Sequence, residues 1–283
     1  MNKRMYIPAT LLLVALLVSG CGFQMVSGSG RIASETRNIR GFSSVTLAGI
    51  GNLYLTQGET ESVRIEAEDN LIPYFETSVQ GSTLTIGIKN QYIGINLQPT
   101  KPVKFYVTLP KIEAVTLAGS GNIFAGEIQT SAFKISLLGS GNISADSLTA
   151  TTANLRLAGS GDINIGSVTA DGLTANIAGS GNIKVSMLKA TTVSATTAGS
   201  GDFNMSGEVN DQHIEILGSG DYLAGKLNSQ TATVRQTGSG SSQLAVSDTL
   251  DVTILGSGDV VYSGSPHMNV SIAGSGRVNQ SGE

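Results

Sequence analysis

The stretch that decides the fold is Leu117-Ala118-Gly119-Ser120-Gly121-Asn122-Ile123, because its glycine unit returns along the chain at a nearly constant interval. Gly-Ser-Gly, usually followed by Asn or Asp, starts at Gly119, Gly139, Gly159, Gly179, Gly199, Gly218, Gly238, Gly256 and Gly274, at spacings of 18 to 20 residues. A degenerate copy, Gly49-Ile50-Gly51-Asn52, stands seventy residues upstream of the first unit. Self-similarity at such a period is typical of a repeat architecture.

Apolar residues fall into columns when the repeats are aligned on this unit. The alternation of apolar and polar residues on both sides of the glycines predicts two strands in each repeat, and a third column predicts another. Two columns before the glycine unit begin with Val115 and Leu117, and two columns after it begin with Ile123 and Ala125. The column of the third strand begins with Ile128.

A repeat of about 20 residues cannot bury its own apolar face, whereas stacked repeats form one continuous core. We therefore predict an all-β, single-chain β-solenoid, a right-handed parallel β-helix with one rung per repeat. About eight rungs spaced ~4.8 Å apart would make a rod of roughly 40 Å. The alternative is a β-sandwich of hairpins with glycine-rich turns, but hairpin turns do not require a constant period.

The chain before the regular repeats has a different composition. Residues 31–113 contain four prolines and seven aromatic residues, and short alternating runs such as Val63–Ala67 and Lys104–Leu109. We predict an irregular β segment over residues 31–113 that starts the solenoid and covers its first edge. Residues 114–283 are predicted to form the regular solenoid.

The N-terminus carries the pattern of a bacterial lipoprotein signal. Lys3 and Arg4 precede an apolar stretch over residues 7–18, which is too short to span a bilayer. Val18-Ser19-Gly20-Cys21 then resembles a lipobox. We predict a signal peptide over residues 1–20, acylation of Cys21 with chains such as palmitate, and a flexible lipid-anchored tether over residues 21–30. Gly22 in place of an acidic residue favours the outer membrane of a two-membrane cell. A secreted protein with one free thiol is the alternative.

The charge of the mature chain restricts its partners. Removing Lys3 and Arg4 from the 17 basic residues leaves 15 against 21 acidic residues, a net charge of −6. This balance argues against nucleic acid or an anionic membrane surface as the main partner. Contact with a membrane is expected through the Cys21 lipid.

Several motifs together resemble the head GIN domain family of auto-transporter adhesins. They are Arg37…Gly41-Phe42, Leu53–Gly58, Glu66–Leu71, Gly81–Ile86 and Val107–Pro110, followed by serial Leu-Ala-Gly-Ser-Gly-Asn units. The resemblance covers about residues 35–280 and implies a β-solenoid in the bacterial envelope, with no catalytic residues to carry over. It differs from an auto-transporter in one respect: residues 249–283 continue the repeat, where an auto-transporter has a membrane barrel.

The Asn/Asp column after the glycine unit is the most prominent candidate site. It consists of Asn122, Asn142, Asp162, Asn182, Asp202, Asp221 and Asp259. Its oxygens could bind calcium, but a 20-residue period gives one site per rung, and Asn lowers the charge. We favour a structural turn ladder in which these residues adopt the left-handed conformation and bond the turn backbone. No metal or cofactor is predicted.

Catalysis is the less favoured reading. Asp202 and Asp221 on neighbouring rungs could stand at the spacing of a glycosidase pair, as in a polysaccharide-acting β-helix enzyme. The chain has no Trp, and His213 and His267 fall on distant rungs, where we expect surface positions. We therefore predict a non-catalytic protein.

The remaining classes are a binding module and a structural protein. We expect an adhesin or binding module that presents flat solenoid faces to an extended partner, either a polysaccharide or another envelope protein. The alternative is a structural or stress-sensing envelope lipoprotein. Pro266 and Arg277 in the shortened last repeats favour a blunted, monomeric end over self-association.

Overall fold

The structure, a computed structural model, describes residues 25–92 and 94–281. The predicted signal peptide, Cys21 and the first residues of the tether lie outside this part. No helix among the described residues has both the length and the apolar character needed to cross a membrane.

The described residues form 22 strands and two short 3-10 helices, at Ile72–Tyr74 and Asn90–Tyr92. The strands are β1 Met25–Ser27, β2 Ile32–Arg37, β3 Ser44–Gly49, β4 Asn52–Gln57, β5 Ser62–Glu68, β6 Phe75–Gln80, β7 Thr83–Ile88, β8 Asn96–Gln98, β9 Lys104–Leu109, β10 Ala114–Gly119, β11 Asn122–Gln129, β12 Ala132–Gly139, β13 Asn142–Thr149, β14 Thr152–Gly159, β15 Ile163–Gly179, β16 Ile183–Gly199, β17 Phe203–Gly218, β18 Tyr222–Gly238, β19 Ser242–Gly256, β20 Val260–Ser263, β21 His267–Gly274 and β22 Val278–Gln280.

Each rung has three faces, which we number from the glycine corner. The first face ends at the glycine unit, as in Ala114–Gly119, the second follows it, and the third contains Ile128 and its equivalents. Ten parallel pairings join eleven strands on the first face, in the order β7, β3, β10, β12, β14, β15, β16, β17, β18, β19 and β21. At about 4.8 Å per spacing, this face is about 48 Å long.

Identical side chains stack in the core as the repeat predicts. Ile143 is in register with Ile163, and Ile163 with Ile183, and all three are buried. The third column of Ile128, Leu148, Val168 and Leu188 is buried as well. The all-β solenoid is confirmed, and the hairpin sandwich is excluded because it would place these isoleucines on different sheets.

The glycine corner is required by the close approach of neighbouring rungs. A Cβ on Gly121 would lie 2.5 Å from the carbonyl oxygen of Gly51 in the rung below. A Cβ on Gly141 would overlap the carbonyl oxygen of Gly121 in the same way. The backbone N–H groups of Ser140 and Gly141 both donate to the Gly119 carbonyl, at 3.1 and 3.2 Å. The corner therefore bonds rung to rung through bare backbone.

The regular stacking begins earlier than residue 114. β3 and β4, with the degenerate glycine unit between them, pair in register with β10 and β11. The chain then folds back, and β7 and β9 add one more rung beneath β3 and β4. The N-terminal segment therefore supplies two rungs, which the irregular spacing of its motifs hides in the sequence.

Antiparallel strands cover the first edge of the rod. β5 pairs with both β2 and β9, and β6 pairs with β7, all antiparallel. This change of direction ends the parallel stacking at what we call the capped end, and it blocks the addition of another rung there.

Glu68 ties several loops of the capped end together. Its buried carboxylate accepts backbone N–H groups from Gly30 at 2.6 Å and Thr100 at 2.8 Å. It also accepts the Thr100 hydroxyl at 2.5 Å and the N–H of Lys101 at 3.3 Å. The Thr100 hydroxyl and these N–H groups lower the pKa of Glu68 below its ordinary value.

The predicted tether extends less far into the described chain than expected. Met25–Ser27 forms β1, which pairs with β8, and Gly28 N–H donates to the Gln98 carbonyl at 2.9 Å. The Asn70 side-chain amide also donates to the Ser27 carbonyl at 2.8 Å. Residues 25–30 are thus bonded to the capped end, whereas the sequence predicted a flexible segment. The sequence does not reveal these bonds, because the partners lie about 40 to 70 residues away along the chain.

Candidate binding surface

The Asn/Asp column forms a ladder along the edge between the first and second faces. Each side chain accepts the backbone N–H of the next rung: Asn142 Oδ1 from Asp162 at 3.0 Å, Asp162 Oδ1 from Asn182 at 2.9 Å, and Asn182 Oδ1 from Asp202 at 3.0 Å. In the same way, the backbone N–H groups of Asn142, Asp221 and Arg277 donate to the Oδ1 atoms of Asn122, Asp202 and Asp259, respectively. One oxygen per rung is therefore committed to the backbone.

The expected left-handed conformation of these residues is wrong. In the described chain, positive φ angles occur at glycines and at no other residue. The neighbouring glycines make the turn, which leaves the Asn and Asp side chains free to point along the rod.

The geometry gives no support to a metal site in this ladder. No cluster of three or more His, Cys, Asp or Glu side chains that could hold a metal ion occurs among the described residues. Asp202 and Asp221, the pair considered for glycoside cleavage, are neighbours in the ladder: Asp221 N–H donates to Asp202 Oδ1 at 2.8 Å. Asp221 Oδ1 in turn accepts the N–H of Ser241 at 2.8 Å.

The outer side of the first face offers a flat polar surface. The parallel register aligns one outward residue from each rung, and the row comprises Thr116, Ser136, Arg156, Asn176, Thr196, Glu215, Arg235, Thr253 and Ser271. A parallel row contains Lys134, Asn154, Thr174, Ser194, His213, Thr233, Asp251 and Asn269. We call these two rows together the outer first face.

An apolar row borders the outer first face next to the glycine corner. It consists of Ala118, Leu138, Ala158, Ala178, Ala198, Leu217, Thr237, Leu255 and Ala273. Leu138, Leu217 and Leu255 are 45, 45 and 52 % exposed. Sequence reasoning missed this row, although alignment on the glycine unit places all nine residues immediately before its first glycine.

Two hollows on this surface share Glu215 and Arg235. One, of about 240 Å³, is also lined by Ser194, Thr196 and His213, and the other, of about 380 Å³, by Leu217 and Leu255. Glu215 and Arg235 are register partners on neighbouring strands, so opposite charges stand side by side. Charged, hydroxyl and apolar side chains therefore line these two adjoining hollows.

An aromatic stack lies on the outer side of the second face near the capped end. The ring of Tyr54 stacks on Tyr106 at 5.2 Å and on Phe124 at 5.3 Å between centroids. The Arg64 guanidinium covers the far side of Tyr106 at 4.0 Å. Phe124, 40 % exposed, ends the stack beside the short Ser144. The three rings come from rungs that are far apart in sequence, so sequence reasoning did not bring them together.

A larger groove opens on the third face of the last rungs. Its volume is about 530 Å³, and Lys189, Glu208, Asn228 and Ser247 are among its lining residues. The register shifts between Ala224 and Asn228, where the repeats shorten. The groove lies at this shift, because Asn228 and Ser229 and their register partners Ala245 and Val246 all line it.

A buried polar chain runs from this groove into the core. Ser229 lines the groove and accepts the Gln212 side-chain amide at 2.9 Å, while Gln212 Oε1 accepts the Tyr222 hydroxyl at 2.8 Å. All three side chains are buried, and burial raises the pKa of Tyr222. Every member has a partner, so these polar groups are accommodated without an unsatisfied atom.

The two histidines are exposed on separate strands, His213 on β17 and His267 on β21, as expected of surface positions. They do not form a shared site.

Comparison with known proteins places this solenoid in a family. No curated protein matches the chain. A solved putative lipid binding protein from Parabacteroides distasonis superposes with a TM-score of 0.72 at 23% identity, covering 92% of this chain and 100% of that one. A putative adhesin from Parabacteroides merdae superposes with a TM-score of 0.65 at 23% identity and the same coverage. These likenesses show the fold. The family model described as "Putative auto-transporter adhesin, head GIN domain" matches residues 41–204 and 164–266, and the chain belongs to that family.

Proposed function

We propose that this protein is a non-catalytic lipoprotein of the bacterial envelope that binds an extended partner along the outer first face. The observation that carries the proposal is the register itself. Because each rung repeats the one below, polar and apolar rows run side by side over the nine strands from β10 to β21, a length of about 38 Å. A face of this kind suits a polymer that presents the same groups at regular intervals.

The anchor rests on the residues before the described chain. A basic start, a short apolar stretch and Val18-Ser19-Gly20-Cys21 together favour cleavage before Cys21 and acylation of its thiol. Gly22 favours the outer membrane. Met25–Ser27 is bonded to the capped end, so a lipid on Cys21 would hold that end near the bilayer.

The mixed character of the surface favours a polysaccharide as the partner. Sugar rings offer both hydroxyl groups and apolar C–H faces. The rows of Ser, Thr and Asn can bond the former, and the exposed leucines can pack against the latter. Glu215 and Arg235 in the two hollows add charged donors and acceptors, whose hydrogen bonds are stronger than neutral ones.

A direct test measures retention of the purified chain on envelope polysaccharide and, separately, on solubilised envelope proteins. The paired change Glu215→Ala with Arg235→Ala should reduce retention at least tenfold. The matched control is Glu127→Ala with Lys184→Ala, which removes the same two charges from exposed positions on the third and second faces. Equal retention of both variants and the parent would contradict the proposed surface.

A structural or stress-sensing lipoprotein is the second candidate, and the groove favours it. The groove is concave and carries both Lys189 and Glu208, so a protruding segment of a partner protein could enter it and pair with both charges. Loss of binding on Glu208→Ala, with Glu215 and Arg235 dispensable, would support this candidate over the first.

A further inference from the structure

The end of the rod opposite the capped end is uncovered among the described residues. β21 pairs with β19 on one side, and no described strand lies on its other side. All eight residues of β21 are exposed. A strand edge of this kind presents a row of unpaired N–H and C=O groups.

The core columns of the solenoid are also open at this end. Met268, Val270 and Ile272 continue the columns of Leu250, Val252 and Ile254. The three residues of β19 are at most 2 % exposed, whereas those of β21 are 41, 40 and 43 % exposed. Pro266 and Arg277, which the sequence suggested as blunting devices, flank β21 and leave its edge intact.

We infer that this open end pairs with the open end of a second copy of the same chain, forming a closed tail-to-tail dimer. A two-fold axis across the rod makes the two β21 strands antiparallel. Directly opposite residues in an antiparallel pair point to the same side of the sheet. A register centred on Val270 keeps Met268, Val270 and Ile272 of both copies on the core side.

This register is self-complementary from Met268 to Ile272. Val270 faces its own copy, and Met268 faces Ile272 of the second copy, so that core meets core. On the outer side, Asn269 faces Ser271, which can hydrogen-bond. Residues 268–274 carry no charge, so no like charges meet across the axis.

The capped end explains why the association closes. Head-to-tail stacking would need a free parallel edge at both ends of the rod, but antiparallel β5 and β6 cover one of them. An isologous contact between two open ends uses both edges, and the assembly stops at two chains.

The residues before β1 do not compete for this edge if Cys21 is the mature start. Residues 21–24 span at most about 14 Å when extended, against a first face of about 48 Å. They precede β1, which is bonded to the capped end.

With the proposed anchor, the dimer would hold its two lipids roughly 100 Å apart, about twice the length of one rod. It would so link two membranes, which would be a homophilic form of adhesion. The linkage rests on the proposed function, whereas the dimer does not.

Sedimentation of the purified full chain in density-matched detergent tests the dimer. The parent should sediment as a concentration-dependent monomer–dimer equilibrium, and Val270→Lys should weaken the dimer at least tenfold by opposing two ammonium groups. Lys184→Glu, a charge change on the second face, is the matched control and should behave like the parent. A parent that stays monomeric, an open-ended fibre, or an unchanged dimer in Val270→Lys would each overturn the inference.

Cross-linking tests the register independently of affinity. Val270→Cys should cross-link to its own copy with a short bis-maleimide, while Met268→Cys alone should not. A mixture of Met268→Cys and Ile272→Cys chains should form the mixed product. The parent chain, whose single cysteine is Cys21, is the control and should not cross-link. An acylated Cys21 cannot react, and a free Cys21 precedes β1 at the capped end, far from the second copy. Efficient self-linking of Met268→Cys with none at Val270→Cys would overturn the register.

Vesicle clustering by the lipidated parent separately tests the membrane linkage. Its failure alone would contradict the linkage and leave the dimer unaffected.

Discussion

The side-chain oxygen that follows each glycine corner has a task that either Asn or Asp can perform. It accepts the backbone N–H of the next rung, as Asp162 Oδ1 does from Asn182 at 2.9 Å. A carboxylate and an amide both offer that oxygen, so the column can alternate between them. The charge of the Asp residues is not needed for the ladder.

Replacing Asp162 separates the role of this oxygen from that of the charge. Asp162→Ala removes the acceptor for both the backbone and the side-chain N–H of Asn182. We expect a loss of about 1 kcal/mol in the free energy of unfolding, measured by urea denaturation. Asp162→Asn keeps the oxygen and should stay within about 0.5 kcal/mol of the parent. If Asn were as damaging as Ala, the charge would matter and the ladder account would fail.

The same ladder leads us to expect no strong calcium dependence. One oxygen of each side chain already accepts a backbone N–H group, so a cation would compete with these bonds for the ladder, and the Asn residues lower the charge that could attract it. Adding millimolar calcium should leave the melting temperature of the purified chain nearly unchanged. A rise of about ten degrees would show that the column binds the ion and would reverse this interpretation.

We expect Glu68 to make the stability of the capped end sensitive to acid. Its pKa in the folded chain is lowered from 4.5, so the folded state binds fewer protons than the unfolded state near that pH. Its contribution is therefore complete above about pH 4.5 and is lost as the pH falls through the folded-state value. Glu68→Gln should lower stability at pH 7 and flatten the decline below pH 4.5, as followed by urea denaturation at several pH values. An unchanged acid profile would contradict the role given to this carboxylate.

The strands of the solenoid are held by a backbone contact at each corner as well as by their core columns. Where two rungs meet at Gly121 and Gly141, a methyl group has no room. Gly126, within β11, has no atom within 4 Å of the place a Cβ would occupy. These two kinds of glycine look alike in the composition but have different roles.

The pair Gly141→Ala and Gly126→Ala tests this distinction. Gly141→Ala should destabilise the chain by about 1–3 kcal/mol or prevent folding, because the rungs must separate to admit the methyl group. Gly126→Ala should be neutral or slightly stabilising, since the unfolded chain loses freedom. Chemical denaturation of both variants gives the comparison. Equal effects would mean that the close approach at the corner is not limiting.

The regular part of the fold could be predicted from sequence because its information is local and repeated. Val115, Leu117 and Ile123 recur with the corner, and a fixed period allows only one stacking register. The rung formed by β7 and β9 could not be predicted, because Thr83–Ile88 and Lys104–Leu109 lack the glycine unit and pair out of chain order. Only the structure shows that the first rung of the rod, β7 and β9, comes later in the sequence than the second rung, β3 and β4.

The candidate surface was harder to anticipate than the core. The apolar row from Ala118 to Ala273 is visible in the alignment, but the hollows at Glu215 and Arg235 depend on how neighbouring side chains of different length stand side by side. The stack of Tyr106, Tyr54 and Phe124 depends on the folding back of the N-terminal segment. Core positions follow from periodicity, whereas surface sites depend on the particular residue in each rung.

As a whole, the molecule is a rod with two different ends. Antiparallel strands close one end, and β1 attaches there, while β21 leaves the other end open. A lipid at Cys21 would orient this rod with its open end away from the bilayer. The proposed binding along the outer first face and the inferred pairing at the open end would both depend on that orientation for their effect in the cell.

Mass spectrometry of the mature N-terminal peptide, taken from the membrane fraction, tests the envelope assignment most directly. We predict a peptide that begins at Cys21 and carries a diacylglyceryl group on the thiol, and we expect Cys21→Ser to abolish both the modification and partitioning into the detergent phase. A mature peptide with an unmodified Cys21, or a Cys21→Ser chain that still partitions like the parent, would contradict it.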